Sequence, residues 1–250
     1  MLIEERDGAT VVLTLNQPAR RNALAMEMRR AVVEAMERIE GDASVRAIVL
    51  TGAAGHFSAG GDISGMNVTA FAEGRERFRT THRMVRLLIK SAKPIIAAVE
   101  GFAVGAGLSV ALCCDTVVVS AESQFAAGFG RVGLVADLGL LHTLPLRVGH
   151  GRARQILLYG ERMGAEEAHR IGLVDQVVSP GTALEAALAR ARLFADMAPL
   201  PVAMTKQFLA AGLDAALEWE RDTQSALFMT ADHAEGKAAF LEKRAARFGV

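Results

Sequence analysis

Two short glycine- and alanine-rich stretches, each just after a strand-like apolar run, constrain this chain more than any other feature. The first, FSAGGD at residues 57–62, follows AIVL at 47–50; the second, GFAVGAG at 101–107, follows IIAAV at 95–99. Small residues after a buried strand let the backbone approach another group closely. Each stretch can then offer a backbone N–H to an oxygen, and two such donors aimed at one point form an oxyanion hole. Carbonyl chemistry is the sharper reading. Tight turns around a crowded core are the plainer one.

The rest of the composition narrows the class. With 250 residues, 51% of them hydrophobic, the chain can bury one large core. Lys+Arg and Asp+Glu are balanced at 28 each, so no net charge draws it to nucleic acid or to an anionic membrane. Cys113 and Cys114 are adjacent, which does not suit a disulfide, and no Cys/His cluster has zinc spacing. The start, MLIEERDG, is acidic rather than basic-then-apolar, and no apolar run is long enough to span a bilayer, so a cytoplasmic protein is expected.

Strand-like and helix-like segments alternate at first. VVLTLN at 11–16 reads as a strand, and 26–39 as a helix with Met28, Val32, Ala35 and Ile39 on one stripe. Strands at 47–50, 95–99 and 116–119 alternate with helices at 75–90 and 108–114, the signature of an α/β fold. From about residue 149 the pattern turns helical, at 149–159, 165–171, 184–197, 202–211, 213–229 and 234–247, with one strand at 174–178.

The second stretch leads into the apolar segment LSVALCC, so the Ala106 N–H would lie at a helix start, where donors are unpaired and the dipole is positive. In the first stretch Ala59 is the matching donor, and Asp62 can close the turn on local backbone. GFGRVG at 128–133 spells a dinucleotide fingerprint, but no acidic residue stands about 20 positions on; GRAR at 151–154 occupies that region.

FSAGGD and GFAVGAG, together with RRNAL at 20–24, GLVADLGLLHTLPLRVG at 133–149, AEEAHRIGLVDQVV at 165–178 and FLEKRAARF at 240–248, resemble the crotonase (enoyl-CoA hydratase/isomerase) superfamily in order along the whole chain. The resemblance implies an α/β spiral of ββα repeats over residues 1–190, with a C-terminal helical oligomerisation region at 191–250, in a homotrimer or dimer of trimers. It implies an acyl-CoA thioester substrate and no separate cofactor, coenzyme A being part of the substrate. Carried over residue by residue, Ala59 and Ala106 would hold the thioester oxygen. Arg21, Ala23 and Leu24 would lie along the CoA chain. Ala59, Asp62 and Ile63 would flank its adenine side, and Lys243, with Phe240, would reach a neighbouring subunit's CoA.

The departures from the family pattern carry the reaction. Hydratases of this family use two glutamates, and the aligned positions here are Ser109 and Phe129, neither of which is a base near neutral pH. Phe129 would instead fill the acyl pocket. The acid left in a plausible place is Asp137, a position that carries aspartate in dienoyl-CoA and 1,2-epoxyphenylacetyl-CoA isomerases; the likeness to the latter is closer. One base suffices to move a double bond. The apolar neighbours Leu134, Val135, Ala136 and Leu138 would raise its pKa. The competing role for Asp137 is to cap a helix starting at Leu138. Other readings are a hydratase or another reaction of the family using unidentified residues, and a non-catalytic acyl-CoA-binding protein. His82 and His142 have no acid partner evident in sequence and read as packed or solvated.

Overall fold

The computed structural model describes residues 1–249. An antiparallel hairpin opens the chain: β1 (Leu2–Asp7) pairs with β2 (Thr10–Leu15) through a turn at Gly8, φ +60°. Then follow α1 (Met26–Gly41), β3 (Ala47–Gly52), α2 (Phe71–Ile89), β4 (Ile95–Val99), β5 (Phe102–Val104), α3 (Ala106–Leu112), β6 (Thr116–Ser120) and β7 (Gln124–Ala126). The remainder is α4 (Leu140–Tyr159), β8 (Met163–Gly164), α5 (Ala165–Arg170), β9 (Gln176–Val178), α6 (Ala183–Arg192), α7 (Pro199–Leu209), α8 (Leu213–Leu227) and α9 (Ala231–Glu242).

Two sheets result. Six strands run in the order β1-β2-β3-β4-β6-β9, parallel from β2 onward, and β5-β7-β8 form a smaller sheet. The chain steps from the large sheet to the small one and then into a helix: β4 to β5 to α3, and β6 to β7 toward α4. After β3, Ser58 bridges Ala103 and so extends the small sheet before α2. This is a spiral of ββα turns. The central strands β3 and β4 are buried on both faces, as parallel strands covered by helices must be, and their near-continuous Ile/Val/Ala/Leu sequences reflect it. On one face α1 and α2 supply Met28, Val32, Met36, Met84 and Leu88 to the main core. On the other, α6 lays Ala183, Ala187 and Ala191, spaced one helical turn apart, against Ala47, Val49, Ile96 and Ala98.

Three sequence expectations need correcting. The stretch at 101–107 is not all turn, because β5 lies inside it. Strands β1, β7 and β8 are additional; the last two are only three and two residues long, too short for a period to show. Helix α4 starts at Leu140 rather than near 149, with Gly149 (φ 74°, ψ 158°) forming a kink inside it.

Candidate active site

The two small-residue stretches are laced together. Ser58 N–H donates to Phe102 O (2.8 Å) and Val104 N–H to Ser58 O (3.1 Å). A Cβ on Gly60 would stand 2.7 Å from Val104 O and one on Gly107 2.5 Å from Ser58 O, so each stretch needs glycine where the other approaches. From behind, segment 21–24 braces the first stretch: Leu24 N–H donates to Gly60 O (2.8 Å). Asn22, itself at φ 56°, ties the same segment down by donating to Ala53 O and His56 O.

This bracing corrects one assignment. The Ala59 N–H donates to Arg21 O at 2.9 Å, so although Ala59 lines the cavity, its donor is committed. Two residues on, Gly61 also lines the cavity, and its N–H has no partner among the described residues. The same holds for Ala106 at the start of α3, and the Cβ position of Gly60 is 3.6 Å from Ala106 N, which brings the two stretches side by side. The free pair of donors is therefore Gly61 and Ala106.

Asp137 lines the same cavity, of about 560 Å³. It is not a helix cap: α4 begins at Leu140 with Gly139 at the cap position, and Asp137 Oδ1 is buried without a hydrogen-bond partner. Burial and the nearby Glu220 carboxylate push the Asp137 pKa up to about 7, against the opposing pull of Arg29 and Arg77. The two residues after it are both left-handed, Leu138 at φ 54° and Gly139 at φ 76°. For a buried leucine this is strained, and the strain is held from outside. Glu220, from α8, accepts the N–H groups of Leu138 (2.9 Å) and Gly139 (2.8 Å) and pairs with His82 Nε2 (2.9 Å). Gln224, one turn on, both donates to and accepts from the Val135 backbone. His82 thus has an acid partner that sequence spacing does not reveal, 138 residues away.

The other expected residues divide. Ile63 and Phe129 line the cavity. Arg21, Ala23, Leu24, Asp62 and Lys243 are not part of its wall. Leu24 is in the main core, and Asp62 closes its own turn by accepting from Ser64 while pairing with Arg20 at 2.7 Å. Lys243 is an exposed, left-handed residue capping α9. Phe240 on α9 and, in the tail after Lys243, Arg244 and Phe248 form part of the wall of their own chain's cavity. Ser109 is buried in α3, its hydroxyl bonded to Gly105 O. The GFGRVG stretch forms a single 3₁₀ turn that presents Phe129. Sequence reasoning missed Arg29, a fully buried cation on the cavity wall, and Glu220. No helix among the described residues is long and apolar enough to cross a membrane.

A ββα spiral whose small-residue turns share a cavity with a buried acid defines an enzyme of the crotonase fold. The chain belongs to the enoyl-CoA hydratase/isomerase family, whose sequence profile matches residues 5–250. It is 34% identical over 255 residues to a 1,2-epoxyphenylacetyl-CoA isomerase of Escherichia coli K12, covering 99% of this chain and 97% of that protein. It is 35% identical over 248 residues to a short-chain-enoyl-CoA hydratase of Clostridium acetobutylicum, covering 97% and 95%. Among solved structures, an enoyl-CoA hydratase from Mycobacterium avium subsp. paratuberculosis K-10 superposes with a TM-score of 0.89 at 30% identity, covering 100% and 98% of the two chains.

Proposed function

We propose that this protein is an enoyl-CoA isomerase in which Asp137 is the single acid/base and the Gly61 and Ala106 N–H groups hold the thioester enolate. One observation carries the reading: among the described residues lining the cavity, Asp137 is the only carboxyl. Its ionised form takes a proton from C2 of a 3-enoyl thioester. The C–H electron pair moves into a dienolate whose charge rests on the thioester oxygen, between the two N–H donors. The same carboxyl, now protonated, returns the proton at C4, and the double bond ends between C2 and C3. No water is consumed and no second base is needed. A pKa near 7 suits a group that must both take and give the proton.

Following the family resemblance, the proposal puts the CoA portion along the side of the first turn formed by Arg21, Ala23, Leu24, Asp62 and Ile63, puts Lys243 at a neighbouring subunit's CoA, and takes the assembly as a homotrimer or a dimer of trimers. Replacing Asp137 by Asn should abolish isomerisation while leaving the affinity for a saturated CoA ester within a few-fold; full activity in that variant would overturn the assignment. In the wild type, the rate should rise with pH through about 7 as the base form accumulates. The hydratase names among the relatives favour one rival. Hydration of crotonyl-CoA at roughly 1–1000 per second would select it.

A further inference from the structure

Arg29 is a buried cation, near Asp137, Arg77 and Glu220, that the proposed isomerisation does not use. It is 1% exposed, on the inward side of α1, and burial lowers its pKa to about 10. Its Nε donates to Leu24 O (3.0 Å) and its Nη1 to Thr81 Oγ1 (2.7 Å). No hydrogen bond or ion pair engages Nη2 among the described residues, and Nη2 is not among the side-chain atoms sealed away without a partner. It therefore opens onto the cavity whose wall Arg29 helps to form. Nη2 is 4.0 Å from where a Cβ on Gly61 would be, which puts it beside the proposed enolate donor. The same wall carries the hydrocarbon of Ile63, Met66, Phe129, Val132 and Leu134, and also Arg131, Arg162 and Arg244.

A plain alkenyl chain entering this cavity would strip water from Nη2 and give nothing back, leaving a buried charged donor unsatisfied. A carboxylate on the chain would restore the lost partner with a charge-assisted bond, for which the planar guanidinium is well shaped. Arg77, close enough to Asp137 for each to shift the other's pKa, adds to the positive field felt there, as do Arg131, Arg162 and Arg244 on the wall; of all these arginines Arg29 is the buried one. The protonated form of Asp137, well populated near neutral pH at a pKa of about 7, does not oppose the incoming anion, whereas the ionised form does.

We propose that Arg29 anchors a carboxylate on the acyl group, so that the enzyme prefers CoA thioesters of short dicarboxylic acids to those of simple fatty acids. This rests on the acyl-CoA reading of the cavity, and the test separates the two. Dissociation constants are measured by calorimetry for glutaryl- and adipyl-CoA against pentanoyl- and hexanoyl-CoA, four saturated esters that cannot react by double-bond migration. At least one diacid ester should bind about tenfold or more tightly than its neutral counterpart of equal carbon number, the size of one net charge-assisted hydrogen bond. In R29L that ratio should fall to near one, and in R29K it should be intermediate. Equal or tighter binding of both neutral esters by the wild-type protein overturns the anchor without needing any variant. A diacid preference that survives in folded R29L overturns the role of Arg29. Failure of all four esters to bind would instead overturn the acyl-CoA reading itself.

Discussion

Burial and the Glu220 carboxylate suit Asp137 to the proposed acid/base role and, by the same physics, make the folded chain less stable. Unfolded, the group titrates at 3.8; folded, at about 7. Between those values the unfolded chain sheds a proton that the folded chain keeps, so folding loses free energy as pH rises from about 4 to 7. Below that window nothing is lost. Above it the loss is complete, on the order of 4 kcal/mol for about three pK units. D137N removes the titration. Its melting temperature relative to wild type should therefore be most favourable above pH 7, and the difference should shrink steadily toward pH 4. A difference that does not change with pH would show that the folded carboxyl titrates normally. The substitution that removes activity should thus gain stability at alkaline pH, a trade-off common at active sites.

The loop from 135 to 139 cannot position its aspartate alone, and α8 does the holding. Consecutive left-handed residues point their N–H groups into one concavity that favours an anion, and Glu220 fills it. E220A leaves those two donors and His82 without a partner and should destabilise the protein by about 3–5 kcal/mol, read by denaturant unfolding. E220Q keeps the size of the side chain and removes its charge, but leaves one acceptor oxygen for two backbone N–H groups that Glu220 holds on separate oxygens. It removes a negative neighbour that pushes the Asp137 pKa upward, so the midpoint of the pH–rate profile should move below about 7. A midpoint that stays in place would mean that Glu220 acts on Asp137 only through packing.

This clamp also marks where reading the sequence stops. FSAGGD and GFAVGAG announce a close backbone approach through composition alone, and Asp137 stands out as the one acid amid an apolar loop. Which N–H is free is another matter: choosing between Ala59 and Gly61 depends on where the Arg21 carbonyl points, a property of peptide orientation and not of residue type. Arg29 follows Met28 on α1 and looks like the edge of an apolar stripe. Glu220 sits in EWERD and looks like a solvated face. Long-range partners such as His82 and Glu220 leave no periodic trace in the chain.

At the scale of the whole molecule, two helices leave apolar side chains uncovered. On α7, Leu200, Met204 and Phe208 recur every four residues and are 69%, 57% and 80% exposed, and Leu158 and Tyr159 at the end of α4 are also bare. Apolar exposure on that scale marks a contact surface, which fits the proposed trimer. The double substitution M204E/F208E should shift the wild-type oligomer to a monomer in light scattering. A wild-type protein already monomeric at micromolar concentration would contradict the assembly. The tail is a separate matter, since α9 docks on the body through Lys237 to Met66 O and Asn67 at 2.7 Å each, and residues 244–246 and 248 line the cavity of the same chain.

The Glu220 clamp has a consequence for how the enzyme comes into being. Both halves of the backbone cradle, and the aspartate itself, have been synthesised once residue 137 leaves the ribosome. The groups that hold that aspartate in its strained pose, Glu220 and Gln224, follow more than 80 residues later. A growing chain can thus assemble its sheets first, as N-terminal segments generally do, yet it carries no ordered base until α8 emerges. The proposed acid/base is positioned last, when nearly the entire polypeptide is present to enclose it.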